Sequence, residues 1–105
     1  MIVLEDLGNQ YGWEKLSPTA STGFTASIIQ PTSGPYKGMM AKAALISVET
    51  NPIRFRNDGV TPTATNGMLL NSGSYYTMIN AENIKNFRCI DTATGASAVH
   101  VLMFF

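Results

Sequence analysis

From residue 42 onward the chain alternates apolar and polar positions in short runs. In KAALISVET (42–50), Ala44, Ile46 and Val48 fall on one face, with Ser47 and Glu49 on the other. PIRFRN (52–57) turns Ile53 and Phe55 inward and Arg54 and Arg56 outward. In SAVHVLMFF (97–105), Val99, Val101, Met103 and Phe105 share a face. Three more runs, MLLN (68–71), SYYTMI (74–79) and FRCIDT (87–92), read as strands, as does FTASIIQ (24–30), ended by Pro31. Asp58-Gly59, Ser72-Gly73 and Thr94-Gly95 are turn signals. Residues 31–40 form a loop, with two Pro and two Gly, and residues 60–67 are too rich in Thr, Pro and Gly for a central strand. NAENIKN (80–86) fits one helical turn with Asn80 as N-cap. About seven short strands at roughly 8–12-residue spacing predict an all-β domain, a β-sandwich of jelly-roll or immunoglobulin-like kind, over 23–105.

Residues 1–22 follow neither period. Leu7, Tyr11, Trp13 and Leu16 stand isolated among Gly, Pro and Ser, which predicts an extended N-terminal arm; an ordinary first strand of the core is the other reading. The last strand bears on this segment. It is apolar on both faces, with Leu102 and Phe104 opposite Met103 and Phe105, so its outer pair is expected to be covered by the arm or by another subunit.

At 105 residues the chain is one domain, large enough to fold without staples. Formal net charge is zero and 13% of residues are charged, which argues against a nucleic-acid face and suits contact with other protein. Cys89, alone, forms no internal disulfide. Met1-Ile2-Val3-Leu4 runs straight into Glu5 and Asp6 and lacks the form of a signal peptide, and no apolar run approaches the ~20 residues of a membrane span.

Chemistry is sparse. His100 is the only histidine, which argues against metal; paired with Cys89 it makes a nucleophile only if their strands are neighbours, and Cys89 shares the parity of Phe87, as a buried thiol does. Asp58 is explained by its turn. With no phosphate loop or nucleophile elbow, neither catalysis nor a cofactor is expected. The candidate partner interface is Tyr11, Trp13, Tyr36, Arg54, Arg56, Leu102 and Phe104. The aromatics stand outside the strand alternation, either as anchors for a partner or folded over the open end of the sandwich. Arg54 and Arg56 leave the sheet roughly 7 Å apart, either as a solvated face or as forks for a partner's carboxylates. A tight hairpin at Asn51-Pro52 sets Glu49 across from Arg54; a crossover between sheets is the alternative.

Residues 42–105, through ISVETNPIRFRNDGVTPT, GMLL and ENIKNFRCI before the final apolar strand, resemble small all-β virion structural proteins of tailed bacteriophages. The resemblance implies a capsid decoration or cement protein, or a neck or tail accessory subunit. Such a subunit is assembled in the host cytoplasm and held by the major capsid protein, other virion proteins or sister copies in a homo-oligomer. PIRFRNDGVTPT is also similar to the strand and turn of immunoglobulin-like modules of bacterial glycosidases, with Arg where those carry Tyr or Thr; that similarity implies carbohydrate binding.

Overall fold

The computed structural model describes residues 7–92 and 97–105. In chain order they form β1 (Gln10–Leu16), α1 (Ala26–Ile29), β2 (Ala43–Glu49), β3 (Ile53–Arg56), β4 (Met68–Leu70), β5 (Tyr75–Met78), α2 (Ala81–Asn86), β6 (Arg88–Asp91) and β7 (Ala98–Phe104). Four strands make one sheet in the order β1-β7-β2-β5, and three make another in the order β4-β3-β6. Every pairing is antiparallel, so the all-β expectation stands.

The inward residues of the two sheets form one core. Ala44, Ile46 and Val48 of β2 and Val99, Val101 and Met103 of β7 meet Ile53 and Phe55 of β3 and Cys89 of β6. Phe24 stacks on buried Phe87 at 4.5 Å, and each large side chain fully buried here contributes about 1.5–3 kcal/mol. α2 crosses from one sheet to the other. Its N-cap is Asn80, whose side chain accepts from the amides of Glu82 and Asn83, while Ile84 is buried.

Three local expectations are corrected. Residues 24–30 are not a strand; they hold helix α1, because the Glu14 carboxylate accepts from both the amide and the hydroxyl of Thr25 at its start and Ile29 turns into the core. The arm reading fails for Gln10–Leu16, which is the edge strand β1 paired with β7. One extra residue between Gln10 and Trp13 forms a bulge, with Gly12 at φ 103°, a left-handed value that any side chain resists. That bulge breaks the two-residue period and hides the strand in the sequence. The chain then crosses to the other sheet, where Thr22 and Cys89 exchange backbone hydrogen bonds of 2.9 Å and Pro18 C=O accepts from Asp91 N–H. Residues 18–22 thus cover the free edge of β6. The remainder of the expected arm, residues 1–6, and the Thr94-Gly95 turn lie outside the described residues.

The third correction concerns Glu49. β2 and β3 belong to different sheets, so no hairpin sets Glu49 across from Arg54; the crossover is the arrangement present. Thr50 makes that corner at φ 78°.

Candidate functional site

Two outward surfaces carry the candidate residues. The first is the outer face of the four-stranded sheet. Register places Trp13, Leu102, Leu45 and Thr77 in one cross-strand row, and Lys15, His100, Ser47 and Tyr75 in the next. Leu7 packs on Ala43 and Phe104 at one end, and Leu45 and Leu102 are partly buried beside them. Phe104 is therefore only 3% exposed, covered from within by the N-terminal segment. Trp13 stays 55% exposed with its ring tilted over His100 at 5.9 Å, and Tyr75 is 71% exposed. A sheet face of this kind normally alternates polar outward. Here it presents two aromatic rings flanking a leucine pair.

His100 Nε2 lies 3.3 Å from a Glu49 carboxylate oxygen, and Ser47 is its direct cross-strand neighbour on β2. Serine, imidazole and carboxylate therefore share one face. Among the described residues no hydrogen bond joins Ser47 to His100, and the surrounding backbone amides of β2 and β7 are engaged in the ladder and not free to cradle an oxyanion. The imidazole is offered here as a polar surface contact. Cys89 faces the core from the other sheet, so it does not meet His100. Burial, helped by the charge of Asp91 and opposed by Arg88, pushes its thiol up to about 12.

The second surface is the outer face of the three-stranded sheet, where all three arginines of the chain stand. Arg56 and Arg88 are register partners, with Arg54 two residues along β3. Each is held. Arg54 donates from Nε to Ala64 C=O (3.2 Å) and from Nη1 to Gly67 C=O (2.8 Å). Arg56 grips Asp58 through Nε (3.1 Å) and Nη2 (2.5 Å), which holds the Asp58 carboxyl below its ordinary range. Arg88 donates to the hydroxyl and carbonyl of Ser21 at 3.0 and 3.2 Å. Among the described residues no carboxylate pairs with Arg54 or Arg88. Arg88 was not among the sequence candidates; its place two residues before the parity-matched Ile90, outward on a strand whose Cys89 faces in, is the signal that marks it.

The remaining aromatics serve the fold. Tyr36 stacks on Phe105 at 5.1 Å, and Tyr11 meets Tyr36 edge-on at 5.3 Å, closing one end of the sandwich. Of the two readings for these tyrosines, the structure has them folded over the open end. An open groove of about 740 Å³ runs between the sheets on the side of β4 and β5, lined in part by Phe55, Asn57, Asn83, Met68 and Tyr76. Among the described residues no three His, Cys, Asp or Glu side chains gather to hold a metal. No helix there is long and apolar enough to cross a membrane. Compared with protein-family models, curated proteins and solved structures, the chain matches none of them.

Proposed function

We propose that this chain is a non-catalytic structural subunit of a phage virion, of the capsid decoration or cement type, acting by surface contact. The observation that carries this reading is the outer face of the four-stranded sheet, where exposed Trp13 and Tyr75 flank Leu45 and Leu102 among the polar Lys15, His100 and Ser47. Large rings of this kind are the residues that anchor protein contacts. The arginine face of the other sheet gives the subunit a second, positive surface, so that capsid and neighbour can be engaged by different sides. The sequence resemblance over residues 42–105 points the same way, and two antiparallel sheets suit an immunoglobulin-like or jelly-roll subunit. Titration onto particles lacking the protein tests this. Trp13→Ser with Tyr75→Ser should lower occupancy at least tenfold while the fold persists. Unchanged occupancy, or no binding by the natural chain, overturns the reading.

Two aromatic rings on one open sheet face also favour a second reading, a carbohydrate-binding module in which sugar rings stack on Trp13 and Tyr75. Saturable binding of a soluble polysaccharide, lost in the same double variant, would support that reading instead.

A further inference from the structure

Among the described residues the two sheets have four edge strands, β1, β5, β4 and β6, and they are not treated alike. β1 carries a bulge and the charges of Glu14 and Lys15, both of which deter pairing. β6 is covered by residues 18–22. β4 is only three residues long, itself a protection. β5, at four residues only one longer than β4, carries among the described residues neither a bulge, nor a charge, nor a covering segment. Residues 59–81 hold no charged side chain at all, so nothing on β5 or its flanks repels another strand. The most exposed large apolar residues of the four-stranded sheet, Tyr75 at 71% and Ile79 at 62%, lie on and just past it.

The register says which backbone groups are open. Val48 N–H donates to Ser74 C=O at 3.1 Å, and Tyr76 and Met78 face Ile46 and Ala44 of β2. In an antiparallel ladder the direction of the backbone groups alternates, so Tyr75, Thr77 and Ile79 turn their N–H and C=O away from β2, toward the free side. These are also the residues whose side chains share the outer face.

We infer that β5 pairs antiparallel with β5 of a second copy across a two-fold axis at Thr77, joining two four-stranded sheets into one of eight. An axis normal to the sheet keeps the outer face outward, and among the registers that bring free backbone groups together the Thr77-centred one pairs Tyr75, Thr77 and Ile79 of both copies all at once. Thr77 then lies opposite Thr77 of the second copy, and Tyr75 lies opposite its Ile79. Thr–Thr and aromatic–β-branched pairs are favourable cross-strand neighbours. Six backbone hydrogen bonds form, two at Thr77 and two at each Tyr75–Ile79 pair. Tyr76 and Met78 face each other on the inner side, where the groove beside β5 of each copy continues into the other. A second copy fits because the edge is self-complementary: uncharged throughout and symmetric in size about Thr77.

Sedimentation of the full chain across a concentration series, with amide exchange read in parallel, tests this. The natural chain should reach a dimer, and the Tyr75, Thr77 and Ile79 amides should become protected only as it forms. Thr77→Lys places two like charges face to face on the axis and should weaken the dimer at least tenfold while leaving the monomer folded. Thr77→Cys should give a covalent dimer on mild oxidation, since Cys89 is buried. A monomer at every concentration, a trimer, or a dimer indifferent to Thr77→Lys with those amides unprotected overturns the inference.

Discussion

Arg54 and Arg56 look equivalent in the sequence, alternating outward along one strand, but only their parity was legible there. The structure divides their work. Arg54 reaches back over the long β3–β4 connection and ties down Ala64 and Gly67, with Gly67 held at φ 134° against the strand. Arg56 closes on Asp58 in its own turn. Arg54→Gln should therefore cost about 1–2 kcal/mol in urea unfolding, as two charge-assisted bonds to backbone are lost. Arg56→Gln should cost clearly less, and equal losses would refute the division. Cys89 supplies the pH prediction. Its folded thiol stands at about 12 against an ordinary 9.0, so the folded state holds a proton that the unfolded state releases above pH 9. That contribution is fully present below pH 9 and is lost as pH rises toward 12. Relative to Cys89→Ala, the natural chain should lose about 2 kcal/mol between pH 7 and 10.5. Parallel unfolding curves at the two pH values check it, and a constant difference between the two proteins would contradict it.

At the scale of elements, legibility followed periodicity. β2, β3 and β7 alternate cleanly because one side of each faces the core and nothing interrupts the pleat. α2 was readable from its cap, and Asn80→Ala should lower stability by about 1 kcal/mol through the loss of its bonds to the Glu82 and Asn83 amides. β1 and α1 were hidden for opposite reasons. The Gly12 bulge removes the period that would announce β1, whereas in α1 the β-branched Thr25, Ile28 and Ile29 favour a strand until Glu14 anchors the turn. The corner between β2 and β3 shows a third kind of failure. Thr50 adopts φ 78°, where a β-branched side chain is strained and local propensity gives no warning. Thr50→Asn tolerates that conformation and should raise the thermal midpoint, with a gain of roughly 0.5–1 kcal/mol; a loss would mean that Thr50 makes a compensating contact.

Across the whole molecule, what the sequence withheld was which strands share a sheet. Turns such as Ser72-Gly73 look like hairpins but carry the chain from β4 in one sheet to β5 in the other, and short-range signals do not separate the two cases. The candidate site was split by the same ignorance. Trp13 and Leu102 become neighbours only once β1 pairs with β7, and Tyr11 and Tyr36 retire into the end of the sandwich. Residues 7–22 are thus a structural member of the fold. Leu16 is in the core, β1 covers one side of β7 along Gln10–Leu16, residues 18–22 close the edge of β6, and Arg88 is pinned to Ser21. A chain beginning at residue 23 would lose a fully buried leucine, about 1.5–3 kcal/mol by itself, and would bare the edges of both sheets. Domains of this size have only about 5–15 kcal/mol of net stability, so the combined loss should abolish cooperative folding. The truncated chain should give collapsed amide dispersion and no sigmoidal urea transition, and a synthetic peptide spanning residues 7–22 should restore both by re-forming the ladder with β7. A truncated chain that melts cooperatively within about 5 °C of the full one would show that the segment is an arm after all, laid on a sandwich complete without it.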